Sequence, residues 1–542
     1  MLSTIPSRGV FYGVFFCVSP FFVLSSQWGR SKSETTTNSY VFLPSSCKIA
    51  RGGAQATQVQ GNKDVFNLLA LCVQNRLDFD SEDKSSVDVA PPDINDLVRA
   101  FKSMAKAQKT FKGLDGAAHE AYQLTHKNDE IKVGVSGRAT RTAARTTAVA
   151  SALGACELSE LVLKPNLHVD PNPLNGTLAN REVLFNETIE SNTNKGLSMQ
   201  VLVIFEPSYR GGAGVNYESI RDIATNKSMN RKINGRILVA VGVPNHLQTM
   251  DQLFDFLSLP PSHVRLHQGS VDEAASVQPS LYSASSLLLE KIGPILRQHN
   301  QSAFHFVGHS MGGGVACLAA SILDGKLPER SSQKKSKKKN AKTESQSSRG
   351  ATEDGAKDTV TANQTVVPLQ GIGKGRTSAV AVGAPPCMSS NVQADFIVSI
   401  MHGDDFVSRA SSESIERFFH RTRKALKKGF LGGQLNRMSD TFSLAASNLK
   451  NYAHGSEGEE ARLSIPGRAY LIRPRRLGGV CSIHEIGSQL KGGREAIRAS
   501  VLWQLNEILL SKSLWKHHHL ESYIQALDRV QLRGLESGHS EQ

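Results

Sequence analysis

The sequence predicts an α/β domain with a mostly parallel central sheet, a helical region ahead of it and a charged insertion within it. Three observations carry this. Short apolar runs of strand length recur from about Asn166 onward, helical stretches separate them, and one dense lysine tract interrupts the series. Strands that alternate with helices fit a parallel sheet joined by crossover helices.

The strand candidates are Val201–Phe205, Ile237–Val241, Ala303–Val307, Ser378–Val382 and Phe396–Ile400. Each is mostly apolar, as a strand covered on both faces is. Ahead of them, residues 61–165 read as a helical accessory region. Leu97, Val98, Phe101 and Met104 recur at helical spacing, and Asp93 behind Pro91-Pro92 is an N-cap candidate. The stretch Ala139–Ala155, rich in small residues with Thr and Arg, reads as a helix that packs. The run from Ser331 to Asn363 holds Lys334-Lys335-Ser336-Lys337-Lys338-Lys339 and lacks apolar periodicity, so it is expected to be a disordered surface insertion. Gly211-Gly212-Ala213-Gly214 lacks the Lys-Ser/Thr ending of a phosphate loop and reads as a turn.

Composition narrows the function classes. A chain of 542 residues exceeds one compact core and allows a catalytic domain with accessory segments. Hydrophobic residues at 39% and charged residues at 21% are globular values and exclude a multi-span membrane chain. The net charge of +14 favours an anionic surface such as phospholipid headgroups. The lysine tract contains no aromatic residue for base stacking, so no nucleic-acid partner is expected. The 7 cysteines are scattered and form no C-x-x-C pair, which argues against a disulfide framework and a zinc site. No metal and no organic cofactor is expected.

Residues 1–60 read as a targeting segment and spacer. Arg8 precedes an apolar run from Val10 to Leu24, and Ser25-Ser26 follow, which is the pattern of a signal peptide. The run falls short of the roughly 20 apolar residues of a spanning helix, and Pro20 interrupts it. The expected address is the secretory pathway or a membrane surface. The Ser/Thr-rich, acid-poor stretch at 27–60 keeps a plastid as the alternative. The main domain is expected over 166–530, with the insertion at 331–363 and a tail at 531–542.

The decisive segment is Phe306-Val307-Gly308-His309-Ser310-Met311-Gly312-Gly313-Gly314. A strand candidate precedes this G-x-S-x-G pentapeptide and small helix formers follow it. Such a turn lifts a serine between strand and helix, and Gly308 and Gly312 let the two segments cross closely. That context predicts an α/β-hydrolase fold with Ser310 as nucleophile. The backbone N–H of Met311, at the helix N-terminus, would face a developing oxyanion. His309 is fixed beside the serine on the elbow and is not read as the base. A hydroxyl nucleophile needs a base, and the base an orienting acid, in the chain order Ser, Asp or Glu, His. Asp404 and Asp405 follow a later strand, and His517, His518 and His519 lie near the C-terminus.

These residues resemble the class 3, fungal-type lipase family, and most of all its diacylglycerol-lipase-like branch. Gly308–Gly313 matches the elbow and Ala381–Cys387 the next strand and loop. Asp405-Phe406-Val407-Ser408-Arg409 is similar to the family's Asp-hydrophobic-Val-Pro-Arg, which implies Asp405 as the acid, with Ser408 in the place of a usual proline. His518 stands five residues before Tyr523, as the family's base stands before its tyrosine, which implies His518. The apolar run before that histidine is Ile508-Leu509-Leu510. The resemblance covers roughly 195–330 and 370–530 and has no counterpart for Gly478–Ala496. It implies a lipase acting on di- or triacylglycerol. The alternatives are phospholipase A1, galactolipase, or a catalytically weak membrane scaffold on the same fold.

One departure bears on chemistry. The family's Arg-Gly-Thr/Ser turn, which helps form the oxyanion hole, is here Val241-Gly242-Val243. The Val243 N–H remains as a donor, but the side-chain hydroxyl is missing. Met250–Leu257 resembles a lid helix that includes Asp251 and Asp255; Leu253, Phe254, Phe256 and Leu257 are expected either to meet lipid or to pack on the core. His267 and Gly269 match a structural His-x-Gly element. The insertion at 331–363 occupies the interval where diacylglycerol-lipase-like members carry a regulatory loop.

Overall fold

The computed structural model describes residues 65–74, 76–77, 92–106, 108–109, 135–163, 181–190, 197–207, 234–244, 250–266, 274–329, 369–392, 394–427, 462–474, 480–486 and 507–530. The chain divides into two units, Met1–Gln58 and Val59–Gln542. The first unit lies outside the described residues, as do the turn at 211–214, His267, Gly269, the insertion at 331–363 and the tail at 531–542.

The second unit is built on an eight-stranded sheet in the order β1-β2-β3-β6-β7-β9-β11-β12. The strands are β1 (Glu182–Ile189), β2 (Met199–Glu206), β3 (Arg236–Gly242), β6 (Ala303–His309), β7 (Thr377–Val382), β9 (Ile397–His402), β11 (Arg468–Pro474) and β12 (Cys481–Ile486). The central run β3-β6-β7-β9-β11 is parallel throughout. Antiparallel strands flank it on both sides. A small antiparallel sheet joins β10 (Leu463–Ser464), β8 (Met388–Ser389), β5 (Ala274–Val277) and β4 (Ser262–Arg265).

The central strands are apolar on both faces because both faces are covered. Successive residues alternate between two cores. Val201, Val203, Ile237, Val239, Val241, Phe304 and Phe306 belong to one core. Leu202, Ile204, Leu238, Ala240, Val307, Val380 and Val382 belong to the other. Helices α4 (Pro279–Gln298) and α5 (Met311–Leu323) fill the first layer. Helices α2 (Val135–Val162) and α7 (Leu520–Asp528) fill the second.

The helices ahead of the sheet are part of these layers. In α1 (Val65–Gln74), Phe66, Leu69, Ala70 and Val73 enter the first core, and so do Leu97, Val98 and Phe101 from a helix over 94–106. Phe101 stacks on Phe418 of α6 (Ser412–Lys427) at 5.5 Å. The buried face of α2 carries Ala148, Ala152, Ala155 and Cys156, small side chains that let it lie close to the strands. The lid-like helix α3 (Met250–Leu257) follows the second of its two expectations. Leu253, Phe254, Phe256 and Leu257 are all buried in the core. Phe254 lies 5.1 Å from Phe406, in the loop after β9. Arg76 holds the exposed Asp255 at 2.7 Å, fixing α3 to the segment after α1.

Candidate active site

Ser310 stands between β6 and α5, on the strand-to-helix turn that the motif predicts. Its φ of 58° and ψ of −130° are strained for a residue with a side chain. It is the one non-glycine residue with positive φ among the described residues. The turn needs glycine on either side. A Cβ on Gly308 would fall 2.4 Å from the backbone of Gly312, and one on Gly312 would fall 2.3 Å from the Val241 carbonyl oxygen. Strand β6, helix α5 and the end of β3 therefore meet at backbone contact. The Ser310 N–H donates to the Val382 carbonyl at 2.9 Å, which ties the elbow to β7. The Ser310 side chain does not cap α5, and its Oγ meets His518 Nε2 at 2.9 Å.

His518 closes a short 3-10 turn, Lys516–His518, just ahead of α7. Its Nδ1 lies 3.0 Å from Asp405 Oδ1 and 3.2 Å from Oδ2. Asp405 is buried in the turn after β9. Its Oδ1 also accepts the Val407 N–H at 2.8 Å; its Oδ2 accepts the hydroxyls of Tyr523 at 2.5 Å and Ser408 at 2.8 Å. Burial alone would push this carboxyl up. The charge and hydrogen bond of His518, with the Tyr523 and Ser408 bonds, outweigh burial and hold it well below the usual carboxylate range. Gly383, at φ +61°, passes so near that a Cβ would lie 3.1 Å from both Asp405 Oδ2 and the Tyr523 ring.

The neighbouring histidines and carboxylate take other places. His517 Nδ1 accepts the Asp404 N–H at 2.9 Å, so this pair braces the turn one step away from Asp405. His519 is the N-cap residue of α7. His309 Nε2 donates to the His518 carbonyl at 2.9 Å, and its ring stacks on His518 with centroids 5.0 Å apart. Burial, then the charge of His518, lowers His309 to about 3, so its ring is neutral. Burial likewise lowers His402 to about 4, with His517 adding to the effect. Burial and Asp405 raise the Tyr523 phenol well above its ordinary value, so it stays a donor.

Two backbone groups border the serine. Met311 is the first residue of α5, and an N–H in the first turn of a helix has no intrahelical acceptor. Val243 directly follows β3, whose Val241 pairs with Gly308 of the elbow. The half-buried Val243 thus sits at the strand end beside the turn. Gly312 presses on Val241, so the first turn of α5 and the end of β3 meet at one corner of the sheet.

A strained serine elbow at the end of a central parallel strand, with helices on both faces, makes this an α/β-hydrolase fold. Within it, residues 242–342 match the family model described as Lipase (class 3), a stretch that begins at the end of β3 and holds α3, the elbow and α5. Among solved structures, lipase II from Rhizopus niveus is 13% identical, with 49% of this chain and 73% of that one covered and a TM-score of 0.27. A triacylglycerol lipase from Penicillium expansum is 9% identical, with 63% and 84% covered and a TM-score of 0.28. A lipase from Rhizopus microsporus var. chinensis is 12% identical, with 51% and 69% covered and a TM-score of 0.23. No curated protein matches the sequence.

The structure brings Ser310, Asp405 and His518 together, keeps Asp404 and His517 one step aside, and stacks His309 under the imidazole. What His309, Ser408 and Tyr523 touch is not written in the sequence. There Tyr523 is only a spacing mark, and Ser408 only a departure from proline.

Proposed function

We propose that this chain is a serine lipid ester hydrolase that cleaves acyl esters of di- or triacylglycerol. The observation that carries the reading is the unbroken relay from Ser310 Oγ through His518 to the buried Asp405, with steps of 2.9 and 3.0 Å. His518 accepts the Ser310 proton as Oγ bonds to the acyl carbon. Asp405, held anionic, stabilises the imidazolium and fixes its orientation. The N–H groups of Met311 and Val243 stabilise the oxyanion. The imidazolium then protonates the departing alcohol oxygen as its bond to carbon breaks. Water, deprotonated by His518, attacks the acyl-enzyme in the same way, releasing the fatty acid and restoring Ser310. The chemistry calls on no metal or organic cofactor.

The match at residues 242–342 supports lipid as the substrate class. The elbow Gly308–Gly313 and the interval taken by the insertion support the diacylglycerol-lipase-like branch. Phospholipase A1 and galactolipase activity use the same relay on another headgroup. The missing hydroxyl at Val243 favours a weak enzyme or scaffold, and the completeness of the relay weighs against that. Fatty-acid release from micelles of diacylglycerol, triacylglycerol, phosphatidylcholine and galactolipid tests the reading. The highest turnover is expected on the neutral glycerolipids. Rates on every lipid equal to those of Ser310→Ala would overturn it.

Membrane association through the lysine tract and secretory targeting through residues 1–60 complete the proposal. Each lysine near an anionic bilayer contributes about 1 kcal/mol. Deleting residues 331–363 is expected to weaken sedimentation with anionic vesicles at low salt. Unchanged sedimentation would remove this part.

A further inference from the structure

We infer that Ser408 is a positioning residue of the triad, whose hydroxyl bond to Asp405 Oδ2 sets how firmly Asp405 holds a proton on His518. The inference rests on the triad reading above. Ser408 occupies the position where the related motif carries proline, which has no hydroxyl to offer. Its side chain is fully buried. A buried hydroxyl needs a partner, and this one has Asp405 Oδ2 at 2.8 Å and the Tyr523 hydroxyl at 3.4 Å. Tyr523 already donates to the same oxygen at 2.5 Å while its own oxygen accepts the His402 N–H at 3.1 Å. Oδ2 therefore carries two hydroxyl donors, one supplied by the tyrosine and the second by a residue that departs from the family pattern.

A charge-assisted bond to a carboxylate draws charge toward its donor. Each donor on Oδ2 leaves less charge on Oδ1, the oxygen nearer His518. Removing the Ser408 hydroxyl thus strengthens the hold of Asp405 on the imidazolium. The acid limb of the reaction at Ser310 then moves to higher pH. The other titratable and charged groups that face the pair stay unchanged by such a substitution. They are His309 from the end of β6, His402 from β9, Asp404 and Arg409 beside Asp405, and His519 and Tyr523 at α7.

The rate at which a fluorophosphonate labels Ser310 in the full chain, followed against pH, reads this directly. For Ser408→Ala the acid limb is expected to move up by about half a pH unit, with the plateau rate within about tenfold of wild type. Ser408→Thr, which keeps the hydroxyl, is expected to hold the limb at the wild-type position. Should the alanine variant fail to fold, Ser408→Pro removes the same donor and predicts the same upward shift. A limb that stays in place in a folded variant without the hydroxyl, whatever its plateau, would make Ser408 merely structural and overturn the inference. Labelling of Ser310→Ala at the wild-type rate would be a different failure, that of the triad itself.

Discussion

The two ends of the relay are held in different ways. At the nucleophile end, position comes from backbone: a serine in a strained conformation, and glycines at 308 and 312 that let β6, α5 and β3 touch. At the acid end, position comes mainly from side chains: Asp405 is gripped by His518, Tyr523 and Ser408, with the Val407 N–H as the one backbone donor among them. The contrast teaches that a reacting atom which must stay exposed can be aimed by the chain alone. A buried charge, in contrast, must have its hydrogen bonds filled before it can be kept.

The largest effects should come from cutting the relay between the two ends. His518→Ala and Asp405→Asn are each expected to lower kcat/KM on a soluble ester by on the order of 10⁴-fold. His517→Ala and Asp404→Asn, which alter the neighbouring brace, should cost less than about tenfold. Steady-state kinetics on the four variants checks the register. An inactive His517→Ala beside an active His518→Ala would shift the base by one residue.

The backbone end should respond to volume rather than to charge. Gly312→Ala forces a Cβ toward the Val241 carbonyl, and a stability loss of about 1–3 kcal/mol is expected in denaturant unfolding. Its fluorophosphonate labelling should fall across all pH values, with no movement of the acid limb. A stable, fully active alanine variant would show that the close crossing at the elbow is dispensable.

Both ends should respond to pH, through buried histidines held neutral in the fold. His402 is lowered to about 4 from an ordinary value of 6.5. Between those values the unfolded chain takes up a proton that the folded chain refuses. Stability therefore falls as pH drops from about 6.5 to 4, by on the order of 1–3 kcal/mol. Asp405 has a depressed folded value, so its contribution is present above about pH 4 and fades as pH falls further. Thermal melts of His402→Gln should show a shallower fall between pH 6.5 and 4, though not a flat one, because His309 is lowered as well. An unchanged slope would remove His402 from this account.

The same contrast governs what the sequence makes legible. The elbow is local: Gly308, Ser310 and Gly312 lie within five residues, and a strand pattern leads into them, so turn and fold class are readable together. The strand candidates are readable because burial on both faces keeps them mostly apolar. The acid end is assembled across the chain. Asp405 and His518 are 113 residues apart, and the Tyr523 bond spans 118. Only the resemblance to a family separates Asp405 from Asp404 and His518 from its neighbours. Ser408 reads as a loss because its bond to Asp405 exists only in three dimensions. The lid-like helix shows the converse, since an amphipathic segment reads alike whether its apolar face meets lipid or the core, and here Phe254 packs on Phe406.

The central claim is that Ser310, activated by His518, is the nucleophile. The most direct measurement is fluorophosphonate labelling of the full chain, with the modified residue located by peptide mass spectrometry. The account predicts one adduct, on Ser310, absent from Ser310→Ala and slowed by orders of magnitude in His518→Ala. An adduct on another residue, or labelling of Ser310→Ala at the wild-type rate, would contradict it.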